Sequence, residues 1–415
     1  MVRELARKTN AAYQSFLKIG STELKNKILE SIADKIEAQK EFLVAENLKD
    51  LEAGKAQGLS TAFLDRLALN EKRIQGMIQA CHEIVALPDP VGKVYDMVVR
   101  PAGFRVGRMR VPIGVIGIIY EARPNVTIEA ATLCLKSGNG VILRGGSNSY
   151  YSNMALMRVL QEALKDNGVQ PELISYLEST DRAAVDEMLK QDDLIHLIIP
   201  RGGESLIKSV VEKSRIPVLK HYKGVCHVYV NEFADQDMAE KIAVNAKVQR
   251  PAVCNSAETL LVDAAIAQKF LPRVLKSLQE KGVEIRGCEK TRAIYGNNVN
   301  PATEDDYYAE FLDLILAVKV VENIDAAIAH INTYGSNHTD AIVTKDIHCA
   351  NQFVNNVDTA SVMVNATTRL SDGGVYGLGA EIGISTDRLH ARGPMGLEEL
   401  TTYKWLVMGD GHIRE

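Results

Sequence analysis

The sequence predicts an α/β protein made of two successive parallel-sheet blocks, and three observations carry that expectation. From Gly114 onward, short apolar runs alternate with amphipathic stretches, which is the pattern of βαβ units and therefore of a parallel sheet. The alternation restarts near Val225, so the chain divides near 224. With 415 residues, at roughly 150 per domain, there is room for two or three domains.

Before the first block, residues 1 to about 90 are polar, with Leu24, Ile28, Ile32, Ile36 and later Ile74, Met77 and Ile78 at three- and four-residue spacings. This predicts a helical lead-in. The pattern stops at Leu87-Pro88-Asp89-Pro90, and Met97-Val98-Val99 and Phe104-Arg105-Val106 then flank Arg100-Pro101-Ala102-Gly103 as a hairpin. The first block runs through strand 115–120, helix 126–137, strand 140–143, helix 149–166, strand 174–177, helix 181–190 and strand 194–199. The second has strand 226–230, helix 236–248, strand 258–262, helix 264–281, strand 341–343, helix 346–355 and strand 360–364. Thr401 to Val407 reads as one more strand.

Composition removes several function classes. Hydrophobic residues at 46% and charged residues at 24% fit an ordinary globular chain rather than a disordered or fibrous one. A net charge of −5 provides no global positive field for nucleic acid or an anionic membrane, so any anionic ligand needs a local site. The longest nearly unbroken apolar run, Val111 to Tyr120, falls far short of the roughly 20 residues that span a bilayer. The N-terminus lacks an apolar signal core and a small-residue cleavage site, which leaves the cytoplasm as the expected location.

Two familiar nucleotide motifs fail. The text through the first strand to the start of the helix, Pro112 to Asn125, has no G-x-G-x-x-G, and no Gly-Lys-Ser/Thr occurs anywhere. The glycine-rich 373–383 stretch misses the third glycine by one position and is expected to be a mobile loop. More promising is Pro200-Arg201-Gly202-Gly203-Glu204, where an apolar strand turns into a helix whose first N–H groups can hold a phosphate. An ordinary β–α turn explains it equally well. After the second strand, Arg144 precedes Gly145 and Gly146 and could pair with a 2′-phosphate. Asn125 follows the first strand, where helix N-cap and oxyanion donor are equally good readings.

Six cysteines, at 81, 134, 226, 254, 288 and 349, show neither C-x-x-C nor zinc-type spacing with histidine. Five read as packing residues. Cys254 differs, because Gln249-Arg250-Pro251-Ala252-Val253-Cys254 ends a helix at proline and puts the thiol in a loop, where a nucleophile needs to be. Cys226 and His227 are adjacent on a strand and point to opposite faces, so they are not partners.

Five segments together resemble the aldehyde dehydrogenase superfamily along essentially the whole chain: 111–125, 137–146, 221–230, 245–259 and 391–405. The resemblance implies two Rossmann-like parallel-sheet domains plus a β-ribbon oligomerisation element. It divides the chain into an NADP-binding domain (1–95 and 111–224), a catalytic domain (225–395) and the ribbon (96–110 and 396–415). By position, Cys254 matches the family's catalytic thiol and Asn125 its oxyanion asparagine. Arg144, Gly202, Gly203 and Glu310 match cofactor-binding positions, and Arg392 is expected at the substrate's α-amino acid end. No metal is implied.

Within the superfamily the likeness is to the branch that reduces an acyl phosphate. It implies NADPH-dependent reduction of L-glutamyl 5-phosphate to L-glutamate 5-semialdehyde through a Cys254 thioester, in a cleft between the two blocks. Hydrolytic members carry a water-activating glutamate in the segment matching Tyr222-Lys223-Gly224-Val225, and none stands here. The resemblance further implies a dimer or dimer of dimers, with contact to the preceding glutamate 5-kinase attractive because an acyl phosphate is labile. The competing readings are a hydrolytic or CoA-acylating aldehyde dehydrogenase and a non-catalytic nucleotide-binding protein of the same fold.

Overall fold

The computed structural model describes residues 1–296 and 298–414. Two units emerge: one comprises Met1–Lys220, Gly377–Gly383 and Met395–Glu415, the other His221–Tyr376 and Ile384–Pro394. The 377–383 segment, expected inside the 225–395 domain, therefore packs with the first unit. Gly379 lies against Leu87 and Gly383 against Arg201. The stretch expected to be a mobile loop is anchored at these two points.

The first unit opens with five helices, among them Thr22–Ala38 and Glu71–Ala86, whose Ile28, Ile32, Ile36, Ile74 and Met77 are buried at the spacing seen in the sequence. Ser21 caps the former and Asn70 the latter through side-chain oxygens. Its parallel sheet runs, in space, Ile174–Tyr176, Gly140–Arg144, Val115–Tyr120, Leu197–Arg201. The chain moves outward from Val115–Tyr120 in one direction and then returns to its other side. The carboxyl ends of Val115–Tyr120 and Leu197–Arg201 thus flank the topological switch point, where open α/β sheets bind ligands. Strand Leu197–Arg201 starts later than expected because Leu194 and Ile195 donate to the Gln191 carbonyl in a turn.

An antiparallel ribbon of Val94–Val99, Arg105–Pro112 and Thr401–Met408 completes this unit, with the last strand paired along the whole of the second. Arg108 lies over the Tyr95, Tyr403 and Trp405 rings, while Val99, Trp405 and Val407 stay exposed.

The second unit holds a seven-stranded parallel sheet in the order Asn300–Pro301, Glu284–Gly287, Ile315–Val321, Ala257–Asp263, Cys226–Val230, Thr339–Val343, Ser361–Val364. The alternation read in the sequence passes from the helix at 264–281 directly to the strand at 341–343. Between them the structure adds Glu284–Gly287, Ile315–Val321 and helix Ile324–Tyr334. Lys319 breaks the apolar run of Ile315–Val321, and the fold accommodates it by setting its ammonium 4.9 Å over the Tyr307 ring and 3.3 Å from His330 Nδ1. The core packs Val228, Leu260, Val262 and Val318 of the sheet against Phe270, Leu271, Val274 and Leu278 of helix Ala264–Glu280.

Candidate active site

In the first unit, the switch point brings Glu121, at the end of one strand, to the Gly202-Gly203 turn at the end of the next. Glu121 Oε1 accepts from Gly203 N–H at 2.9 Å, directly ahead of helix Glu204–Lys213. A carboxylate thus occupies the positive end of the helix dipole, in the position where a phosphate would be held. Arg144 donates through Nη1 to Gly145 O and through Nη2 to Thr180 O, while its Nε is buried with no partner among the described residues. A Cβ on Gly145 would lie 2.2 Å from Asn153 Nδ2, so a side chain in the turn after Arg144 would have to displace that buried amide. An unsatisfied guanidinium N–H beside a tight turn, and a helix N-terminus already taking an anion, fit the phosphates of a dinucleotide cofactor.

Asn125 is the first residue of helix Asn125–Lys136 rather than its cap, and its side chain does not serve the helix backbone. Its Nδ2 donates to Glu129 Oε1 at 2.8 Å. An amide has two N–H bonds, so this contact aims the group and leaves a second donor.

The second unit gathers its residues differently. Strands Ala257–Asp263, Cys226–Val230 and Thr339–Val343 are neighbours in one parallel sheet, so the residues just before each come together at its amino edge. Those residues include Cys254, the His221–Gly224 segment, and His338. A ligand atom of His221, of Cys254 and of His338 all lie within 4.8 Å of one another. His221 Nδ1 sits 3.0 Å from Ile384 O, and because a carbonyl only accepts, Nδ1 carries a proton and the other ring nitrogen, Nε2, faces away from that bond. Burial, reinforced by the nearby His221, pushes His338 down to about 3, so its imidazole is neutral.

Backbone packing holds the thiol loop. A Cβ on Gly224 would come 1.8 Å from Cys254 O, so only glycine permits this approach. Cys226 Sγ donates to the same carbonyl at 3.2 Å, Ser256 N–H to Val253 O at 3.0 Å, and Asn255 Nδ2 to Ser371 O at 2.8 Å. Burial holds the Cys226 thiol well above the usual range, which keeps it a proton donor. Cys254 itself is half-buried, whereas Cys81, Cys134 and Cys226 are buried and Cys288 and Cys349 are half-buried.

Glu310 Oε1 accepts from Gly224 N–H at 2.8 Å, so a carboxylate absent from the 222–225 text reaches that segment through space. Beneath the loop, Lys247 Nζ and Glu258 Oε2 form a fully buried pair at 2.6 Å, and burial raises Glu258 to about 7. Arg369, held to Gln249 at 2.9 Å, is close enough for its charge to interact with Cys254. Arg392 instead pairs with Asp358 at 2.7 Å.

The structure therefore gathers Cys254 and Glu310 at one edge of the second sheet, and places Asn125, Gly202 and Gly203 around the switch point of the first, with Arg144 at the end of the adjoining strand. Sequence reasoning missed His221, His338, Gly224 and Arg369. His221 and Gly224 lie in the 221–230 segment but carried no signal alone, and His338 is brought in only by strand order.

Comparison with known proteins gives one answer. The aldehyde dehydrogenase family model matches residues 2–295. The gamma-glutamyl phosphate reductase of Thermodesulfovibrio yellowstonii is 58% identical over 400 residues, covering 96% of each chain. That of Carboxydothermus hydrogenoformans is 53% identical over 100% of this chain and 99% of its own. A crystal structure of gamma-glutamyl phosphate reductase from Thermotoga maritima matches with a TM-score of 0.98 at 48% identity, covering all of both chains. The chain belongs to the aldehyde dehydrogenase family.

Proposed function

We propose that the protein is a gamma-glutamyl phosphate reductase, an oxidoreductase with a nicotinamide cofactor that forms L-glutamate 5-semialdehyde from L-glutamyl 5-phosphate in proline biosynthesis. The observation that carries this is the half-buried Cys254, held by backbone on a glycine-packed loop, in a chain 58% identical to a reductase of that name over nearly its full length.

Cys254 attacks the acyl carbon of the substrate, with its proton passing to the lone pair of His221 Nε2. The Cys254 backbone N–H and the second Asn125 amide hydrogen donate to the developing oxyanion. Phosphate departs with the bonding pair, and the acyl group remains on sulfur as a thioester. When bound, NADPH supplies the hydride that reduces the thioester carbon. The resulting hemithioacetal collapses, releasing semialdehyde and returning the proton to the thiol. Arg144 and the Gly202-Gly203 turn receive cofactor phosphates, Glu310 a ribose hydroxyl, and Arg392 with Arg369 the substrate's anionic groups. The 222–225 segment itself carries no carboxylate to activate water, which supports phosphate rather than water as the acyl partner.

The exposed apolar side chains of the ribbon support assembly into at least a dimer. No helix among the described residues is long and apolar enough to cross a membrane, and the proposed location is the cytoplasm, where contact with the kinase supplying the labile substrate would protect it. The deciding experiment is semialdehyde-dependent NADP reduction with and without phosphate or arsenate. Activity that needs the oxyanion supports the proposal; equal rates without it overturn it in favour of a hydrolytic enzyme.

A further inference from the structure

The amino edge of the second sheet holds more imidazole than covalent catalysis requires. One lone pair takes the proton of a thiol, and His221 provides it. His338 is wholly buried, its Nδ1 lies 2.9 Å from Thr339 Oγ1, and its Nε2 has no hydrogen-bond partner among the described residues. Leaving such a buried polar atom unsatisfied is costly, so its retention calls for a ligand.

Resting on the proposed reductase reading, we propose that Cys254 Sγ, His221 and His338 form an inhibitory site for a borderline-soft divalent cation, Zn2+, that reversibly silences the nucleophile. The donor set is one thiolate and two neutral imidazoles, which suits zinc and gives hard cations nothing they prefer. Distance agrees as well. Zinc bonds of about 2.0–2.3 Å in a tetrahedron set ligands roughly 3.3–3.6 Å apart. The three ligand atoms here already lie within 4.8 Å of one another, so side-chain rotations of about an ångström close the site. The Ile384 carbonyl that accepts from His221 Nδ1–H plays the part of an outer-shell partner, orienting a ring nitrogen as histidine ligands of metals are commonly oriented. On binding, the S–H bond breaks, sulfur keeps the electron pair and donates it to zinc, and the proton leaves to solvent. A fourth position stays open to water. The metal thus blocks attack on the acyl carbon without oxidation, and a chelator restores the thiol.

The test uses the full chain, stripped with EDTA and titrated with Co2+ as a spectroscopic probe, then with Zn2+. The expected result is one ion per chain, a thiolate-to-cobalt charge-transfer band that zinc removes, protection of Cys254 from a thiol reagent, and turnover that falls with occupancy and returns with EDTA. Cys254→Ser and His338→Gln, both checked for native circular dichroism, should each weaken zinc by at least the roughly 10–100-fold that loss of an outer-shell partner costs. Cys254→Ser should also lose the charge-transfer band. Absence of a stoichiometric ion, or binding undiminished in Cys254→Ser, overturns the proposal. Because the spectroscopic readout needs no substrate, the two readings fail separately: binding without reductase turnover sinks the function and keeps the site, whereas turnover without binding does the reverse.

Discussion

The two parallel sheets use opposite ends. In the first, the candidate groups stand at the carboxyl ends of Val115–Tyr120, Gly140–Arg144 and Leu197–Arg201, around a switch point that strand order alone identifies. In the second, Cys254, Gly224 and His338 precede three adjacent strands and meet at the amino edge. The first arrangement is adjustable, since Glu121 is exposed and a ligand phosphate can displace it from Gly203. The second is locked, because the Cys254 carbonyl is in contact with Gly224 and hydrogen-bonded by Cys226. Under the proposed function, a sheet that holds a diffusing cofactor tolerates an internal stand-in, and one that carries a nucleophile needs it positioned before substrate arrives.

The strongest way to break this contrast is at the locked end. Cys254→Ala should lower kcat by about 10⁴-fold or more, the scale of losing a nucleophile that acts as part of a unit. Persistent turnover would end the covalent mechanism. Gly224→Ala leaves the thiol in place but drives a methyl into the Cys254 carbonyl, and a displacement near 1 Å should cost about 100-fold in kcat. Intact activity in that variant, with unchanged thermal stability, would show that the loop is not locked at all. Asn125→Ala tests the oxyanion donor on the first unit. Loss of one such donor costs about 10²–10³-fold in kcat with KM little changed. A KM effect alone would return Asn125 to a structural role through Glu129.

The adjustable end should respond more weakly and in the opposite sense. Glu121→Gln removes an anion competing for the Gly203 N–H, and a charge at a helix N-terminus is worth about 0.3–1 kcal/mol. The variant should bind NADPH about two- to five-fold more tightly, by the same interaction. Fluorescence titration checks this, and weaker binding would make Glu121 part of the cofactor site rather than its stand-in.

The contrast also explains what was legible. The helical period exposed the lead-in, and short apolar runs between amphipathic stretches exposed most strands of both sheets, because parallel strands are buried on both faces and read as continuous runs. Cys254 stood out because proline ends the preceding helix and opens a loop. Asn125 and the Gly202-Gly203 turn were visible because switch points follow from chain order. His338 was not, since its relation to Cys254 depends on strand Thr339–Val343 lying beside Cys226–Val230, a pairing 113 residues apart in sequence. Nor was the strand Ile315–Val321, whose Lys319 disguises burial by lying over the Tyr307 ring. Gly224 and Gly203 look alike in the text, yet one is shaped by backbone and the other by an anion.

A last test, read as a pH slope, sharpens the second sheet's side of the comparison, where burial holds His330 and His338 neutral. His330 packs edge-on against Tyr307 and His227, and burial first, then the charges of His227 and Lys319, push it down to about 2 from 6.5. Its pKa is depressed in the folded state, so below pH 6.5 the unfolded chain binds a proton that the folded chain does not. Stability from this group is complete above pH 6.5 and is lost as pH falls toward 2. While only the unfolded state is protonated, the slope is about 1.4 kcal/mol per pH unit. His330→Phe keeps an aromatic in the cluster and removes the titration, so urea unfolding between pH 6 and 4 should show a pH dependence flatter by that slope. An unchanged slope would mean that water reaches this ring, and that the second unit is less tightly closed around its histidines than its packing indicates.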